Sequence, residues 1–213
     1  MQRVGKRVSS ERRIPPTRKG RDHEIRARAL REFAGLTSDN QRLDPFKLAH
    51  HARLMVIDFK QVQGVLSVET VTELLDNAKD SWSGGAASKV LPGGEKLIVL
   101  NPTHGRNRQR ATLMEEICHV FLGHTASRLA IRKKDRNGNI LARDYHADIE
   151  EEAYATGAAA LVPFGGLREM IEEGKTAPEI AGHYGVSKPL VEYRLKVSRL
   201  WDEYTRKIFQ VGS

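Results

Sequence analysis

Cysteine is almost absent from this chain of 213 residues, in which Cys118 is the only one. A single thiol excludes an internal disulfide framework, and this usage is typical of proteins that fold in a reducing compartment. The sequence also lacks any run of about 18 apolar residues, which a transmembrane helix would need. No apolar segment follows the basic N-terminus, so we expect no secretory signal. We therefore expect a cytoplasmic protein with no membrane partner.

Positive charge is concentrated in the first residues of the chain. The formal net charge is +8, and residues 1–21 hold eight Lys or Arg and one acid, a net +7. That leaves +1 for residues 22–213. Basic charge spread over a folded face would indicate a nucleic-acid partner, but this charge lies in a stretch with few apolar residues. We expect residues 1–22 to form a disordered basic tail that attracts nucleic acid at most weakly.

Apolar periodicity and turn residues predict an α+β fold with a small twisted sheet. The predicted helices are 23–36, one that begins at Pro45, 69–78, 107–122, 148–161, 167–173, 177–184 and 189–201. The predicted strands are 54–59, 81–91 and 95–100, and the last two flank a turn at residues 92–94. Asp44 and Ser187 are expected to cap helices, since both are good N-cap residues. We divide the folded part into a domain over 23–165 and a helical unit over 166–213 that packs on it.

The most informative stretch is residues 114–124, which read Met-Glu-Glu-Ile-Cys-His-Val-Phe-Leu-Gly-His. It is similar to the H-E-x-x-H helix of zinc peptidases, in which two histidines hold the metal and the glutamate is the general base. Here Glu115 replaces the first histidine and is followed by Glu116 and His119. Residues four apart share a helix face, and both carboxylate and imidazole bind zinc, so Glu115 and His119 are a candidate metal pair. The helix alone fits equally well with two solvated glutamates beside a hydrogen-bonded core histidine.

A second block, residues 149–163, favours the metal-site interpretation. Together the two blocks resemble the ImmA/IrrE family of metallopeptidases, whose members typically read H-E-x-G-H-x-x-L-G-H and then E-x-E-A-N-x-F-A-A-x-L-L-x-P. The residues shared with this pattern are Glu116, His119, Leu122, Gly123 and His124 in the first block and Glu152, Ala153, Ala158, Leu161 and Pro163 in the second. The resemblance extends over residues 40–200.

The resemblance implies a zincin-like core and a role for each residue that matches the motif. His119 and Glu152 correspond to metal ligands, and Glu115 occupies the position of the first histidine ligand. Glu116 corresponds to the general base, which takes a proton from the metal-bound water. Zn²⁺ is the implied cofactor. The implied substrate is a protein, and relatives cleave a helix-turn-helix repressor. The C-terminal helices resemble a helix-turn-helix and belong to the peptidase fold.

Glu115 in place of a histidine ligand changes the net charge of such a site. Two carboxylates and one imidazole neutralise a divalent ion, which then acidifies its water less. Carboxylate-rich sites also favour harder ions such as Mn²⁺. We therefore expect weaker zinc binding, slower hydrolysis or both. Two alternatives remain open, namely Mn²⁺ in place of Zn²⁺, and an inactive domain without metal that binds a partner protein through the same groove.

Four further residues near the motifs have less direct roles. His124 lies on the opposite side of the helix from Glu115, so we expect a structural role unless the helix ends at Gly123. Glu150 and His146 are expected at supporting or surface positions. Cys118 is expected to be a buried thiol and not a nucleophile.

The C-terminal unit gives little support to DNA binding. Residues 177–201 resemble a helix-turn-helix, but residues 164–213 hold eight Lys or Arg and seven acids. A net charge of +1 is poorly suited to a phosphate-binding face. DNA binding through this unit is therefore the least favoured function.

Overall fold

A computed structural model describes residues 14–64, 66–124 and 147–211 of the chain. The helices are α1 (Arg18–Phe33), α2 (Pro45–His51), α3 (Phe59–Gln63), α4 (Val68–Thr72), α5 (Arg106–Phe121), α6 (Ala147–Leu161), α7 (Phe164–Glu172), α8 (Ala177–Tyr184), α9 (Lys188–Val197) and α10 (Trp201–Val211). The strands are β1 (Leu54–Ile57), β2 (Gly84–Val90) and β3 (Lys96–Leu100). None of the helices in these ranges has the length and apolar character needed to cross a membrane. The predicted α+β class is confirmed.

The three strands form one sheet in the order β1-β3-β2. β2 pairs antiparallel with β3, which confirms the predicted hairpin, and β1 pairs parallel with β3. Central strand β3 buries Ile98 completely, while β1 and β2 form the two edges. Gly84 at the start of β2 lies so close to α5 that an added Cβ would come within 2.8 Å of Thr112 Cγ2. An edge of the sheet therefore lies beside the motif helix.

Local capping signals in the sequence were good guides to helix ends. The Asp44 carboxylate accepts a hydrogen bond from the Phe46 amide, and the Ser187 hydroxyl accepts one from the Leu190 amide. Both predicted N-caps are confirmed. Gly185 ends α8 in the left-handed conformation, with φ +63°.

The prediction that residues 1–22 form a disordered tail was partly wrong. Helix α1 begins at Arg18, so residues 18–22 belong to a helix and not to a disordered tail. The Thr17 hydroxyl caps this helix and accepts a hydrogen bond from the Gly20 amide. The cap satisfies one of the free backbone amides of the first turn, which basic side chains cannot do. The prediction followed the charge pattern and therefore missed the start of the helix. Residues 1–13 lie outside the described residues, as does His146.

Two other boundaries differ from the prediction. The predicted strand over 54–59 ends at Ile57, because Asp58 caps the short helix α3 and accepts from the Lys60 amide. The predicted helix over 189–201 consists of two helices, since α9 ends at Val197 and Arg199 has a φ of +59°.

A buried ion pair joins the C-terminal helices to the rest of the fold. The Arg194 guanidinium of α9 contacts the Glu24 carboxylate of α1 and donates to the Val162 carbonyl oxygen at 2.9 Å. The Arg194 and Glu24 side chains are 4% and 9% exposed, respectively. The Glu24 carboxylate also accepts from the Phe164 amide. One hydrophobic cluster includes residues on both sides of the predicted domain boundary at 165, so this boundary does not separate two cores.

Helices α5 and α6 pack closely because α6 is rich in small residues. Ala153, Ala159 and Ala160 are all completely buried. At Gly157, an added Cβ would lie 3.4 Å from the Met114 carbonyl oxygen and 3.5 Å from Cys118 Sγ. These distances allow a methyl group at the limit of close contact but leave no room for a branched side chain.

We predict opposite outcomes for two substitutions at Gly157. Gly157→Ala keeps the fold, because the gain in helix propensity of about 1 kcal/mol offsets the tighter contact. Gly157→Val forces the helices apart and lowers the free energy of unfolding by about 1–3 kcal/mol, the usual cost of overpacking. Urea unfolding of both variants measures this difference. Equal stability of Gly157→Val and wild type would contradict the close packing.

Candidate metal centre

Three side chains from α5 and α6 converge on one point. Helix α5 presents Glu115 and His119 one turn apart, and the first turn of α6 presents Glu150. One potential ligand atom from each lies within 4.8 Å of the others. His119 Nε2 is 3.4 Å from Glu150 Oε2. The group of two carboxylates and one imidazole is a suitable donor set for a divalent cation.

This group contains two of the three predicted ligands. Glu115 and His119 are brought together as expected, but Glu152 lies outside the group. One Glu152 oxygen pairs with Arg26 of α1, and the other is 3.0 Å from His124 Nε2. Glu152 as a ligand therefore stays a prediction, and the geometry favours Glu150, which the sequence analysis placed at a supporting or surface position.

The choice between these glutamates was not readable from the sequence. Residues 150–152 are three consecutive glutamates, and successive residues on a helix point about 100° apart. Which of them faces α5 depends on the rotation of α6 about its own axis, and packing of the buried alanines sets this rotation. The family pattern E-x-E-A places a glutamate at both 150 and 152, so it does not choose between them.

His124 approaches the group because α5 ends just before it. Gly123 adopts a φ of +70°, and the His124 amide donates to the His119 carbonyl oxygen at 2.9 Å. The Gly123 amide donates to the Val120 carbonyl oxygen, which completes a Schellman motif. His124 Nδ1 thereby lies 3.1 Å from His119 Nδ1. Because α5 ends at Phe121, the His124 side chain folds back against His119, but His124 is not in the group of potential ligands.

Burial and like charges raise the pKa values of the carboxyls in this site. Burial, with the charges of Glu116 and Glu150 added, raises the pKa of Glu115 to about 7. Burial and then the Glu150 charge raise the pKa of Glu116 to about 7 as well. The charged forms of these carboxyls are therefore destabilised in the metal-free site. A bound cation would stabilise them.

His119 has the opposite shift. Its pKa is lowered by burial and, more weakly, by His124, although the Glu150 charge opposes this. The imidazole therefore stays neutral near pH 7, and the neutral form is the one that binds metals. The residues present thus fit a divalent cation in donor type, and His119 also fits it in protonation state.

The cysteine of the motif helix takes no part in this chemistry. Cys118 is completely buried, and burial raises the pKa of its thiol well above the ordinary value. A thiol that does not ionise is a poor nucleophile. The prediction of a buried, unreactive Cys118 is confirmed.

The family of the chain follows from its sequence together with this geometry. Residues 66–196, more than half of the chain, match the IrrE N-terminal-like domain of peptidases. The chain belongs to this family. A comparison with curated proteins finds no match. The predicted resemblance to ImmA/IrrE metallopeptidases and the zincin-like α+β fold are therefore confirmed.

Membership in the IrrE-like family makes this a metallopeptidase-type domain, and the carboxylate-rich group lies within the matched residues. The matched range includes α5, α6 and strands β2 and β3, while β1 precedes it. Glu116 follows Glu115 directly, so its side chain lies about 100° around α5 from a potential ligand. The arrangement therefore places Glu116, a carboxylate that can accept a proton, beside a group that could hold a metal ion and its water.

We predict that the metal-free protein loses stability as the pH rises. Glu115 and Glu116 ionise less readily in the folded chain than in the unfolded chain, so the folded chain binds more protons between pH 4.5 and about 7. The stability that these protons confer is present below pH 4.5 and lost through that window. Thermal midpoints after chelator treatment measure the slope. The double variant Glu115→Gln with Glu116→Gln should flatten it, and an unchanged slope would contradict the assignment.

Proposed function

We propose that this protein hydrolyses peptide bonds in a protein substrate, with a divalent cation held by Glu115, His119 and Glu150. The observation that carries the proposal is the convergence of their ligand atoms within 4.8 Å beside Glu116. A bound ion at this position would act as a Lewis acid on water and on the peptide carbonyl. Zn²⁺ is the first candidate from the family, and the two carboxylates also suit Mn²⁺.

Glu116 is the residue that we assign as the general base. As a carboxylate beside the proposed metal ligands, Glu116 can accept a proton from the attacking water. The protonated carboxyl then delivers this proton to the amine that leaves.

The neighbouring sheet edge supports an extended protein segment as substrate. β2 is an edge strand, and its first residue lies against Thr112, one turn before Glu115 on α5. An unpaired edge offers backbone donors and acceptors to an extended chain. A helix-turn-helix repressor, the substrate suggested by the family resemblance, would have to present such an extended segment. We place the reaction in the cytosol, in keeping with the single buried cysteine.

Nucleic acid is not the partner that this surface favours. Arg194, one of the basic residues of the helix-turn-helix-like unit, is buried in the ion pair with Glu24. Lys188 of the same helix is 3.1 Å from Glu192, and the Lys196 ammonium lies over the Trp201 ring. These contacts reduce the positive charge available to phosphates. Weak attraction through the basic N-terminal residues remains part of the proposal.

Metal titration distinguishes Glu150 from Glu152 as the third ligand. Chelator-treated wild-type protein should take up one equivalent of Zn²⁺ or Mn²⁺. We expect Glu150→Gln to cause the largest loss of affinity, because it removes a charged ligand, and Glu152→Gln to cause a smaller one. Glu151→Gln is the matched control, since this carboxylate pairs with Lys19 on the surface. The reverse order of effects would make Glu152 the ligand, and no uptake of either metal would contradict the site.

Substitution of the proposed base tests catalysis separately from metal binding. Glu116→Gln should retain metal and slow cleavage of a co-expressed repressor by about 10²–10⁴-fold, the usual contribution of a general base. Gel analysis of the repressor measures cleavage, and metal content is the control. If wild type and variant leave the repressor equally intact yet both bind it, the domain is a non-catalytic binding module. Glu115, in place of a histidine, is the residue that makes this second outcome worth testing.

A further inference from the structure

A continuous row of polar side chains leads away from His119. Its outer nitrogen Nδ1 is 3.1 Å from His124 Nδ1, and His124 Nε2 is 3.0 Å from Glu152 Oε2. The second Glu152 oxygen pairs with Arg26. The row therefore runs from the metal group on α5 to α1. Its two histidines are enclosed, with side chains 11% and 9% exposed.

The contacts of Glu152, at the far end of the row, determine which ring nitrogens of the two histidines carry hydrogen. The Arg26 guanidinium pairs with one Glu152 oxygen, and a positive partner this close favours the ionised carboxylate. An ionised carboxylate only accepts hydrogen bonds, so His124 Nε2 carries the hydrogen. A neutral His124 then has a lone pair on Nδ1. His119 Nδ1 must donate to that lone pair, because two facing lone pairs repel.

This arrangement leaves a lone pair on His119 Nε2. Nε2 is the nitrogen that faces Glu150 at 3.4 Å. The other tautomer of His119 would place a hydrogen on Nε2 and donate it to Glu150, which would occupy both groups and oppose metal entry. The tautomer of His119 therefore decides whether the donor set is open to a cation.

We propose that His124, held by Glu152, is a positioning residue that fixes His119 in the tautomer with Nε2 free for metal. Partners of this kind set the orientation and tautomer of ligand histidines in metal sites. Here the partner is a second histidine, placed by the Gly123 helix end and oriented by a carboxylate of α6. The proposal rests on the proposed function only in that His119 is taken as a metal ligand.

The tautomer is measurable without any metal. In chelator-treated protein labelled with ¹⁵N-histidine, long-range ¹H–¹⁵N correlation spectra report which ring nitrogen carries the hydrogen. At about pH 8, where ordinary histidines are neutral, we expect wild-type His119 to be protonated on Nδ1. His124→Phe removes the acceptor, and His119 should shift to the Nε2-protonated form. The signals are assigned by their loss in His119→Gln.

Conservative variants separate this role from simple packing. His124→Asn keeps an acceptor near the Nδ1 position and should restore the wild-type tautomer. Glu152→Gln removes the carboxylate that orients His124 and should give the Nε2-protonated form in part. Glu152 is near the surface, so this variant tests the row even if His124→Phe does not fold. Glu151→Gln again serves as the control that leaves the tautomer unchanged.

Metal affinity provides the second measurement. His124→Phe should bind Zn²⁺ about 10–100-fold more weakly than wild type, the usual loss when such a partner is removed, and His124→Asn should recover most of it. An Nε2-protonated His119 in wild type, or an unchanged tautomer in the folded His124→Phe and Glu152→Gln variants, would overturn the proposal. If wild type shows the expected tautomer but takes up no metal, the proposed function fails and the positioning role of His124 stands.

Discussion

Close packing of α5 against α6 is the constraint on which the site depends. The metal group takes Glu115 and His119 from one helix and Glu150 from the other, so its dimensions are set by the distance between the helix axes. Gly157 allows α6 to approach the Met114 carbonyl oxygen, and buried alanines continue this contact. A large side chain at this interface would separate the three ligands, whatever their own conformations.

The same packing creates an unfavourable concentration of negative charge. Glu115 and Glu116 are half-buried near Glu150, and each has its pKa raised to about 7. The fold tolerates this repulsion because other contacts hold the helices in place. These contacts are the apolar cluster and the buried interaction of Arg194 with Glu24 and the Val162 carbonyl oxygen. Electrostatic strain at one point and rigid packing around it are what a cation site requires before the ion arrives.

Much of the fold was predictable from local signals, because those signals act within a few residues. The caps at Asp44 and Ser187, the hairpin and the helix that carries Glu116 and His119 were all read correctly from the chain. The failures also have local causes. Thr17 caps α1 earlier than the charge pattern suggested, and Arg199 breaks the helix that was expected to continue to Trp201.

By itself, the sequence determined the family, the α+β class and the pairing of Glu115 with His119, because residues four apart on a helix share a face whatever surrounds them. Only the tertiary structure decided which of three consecutive glutamates meets that pair and where His124 lies. Glu150 and Glu152 differ in their neighbours, and those neighbours depend on the rotation of α6 against α5 and on the chain reversal at Gly123. Rotation and reversal arise from packing between distant segments, which a helical pattern in one segment does not encode.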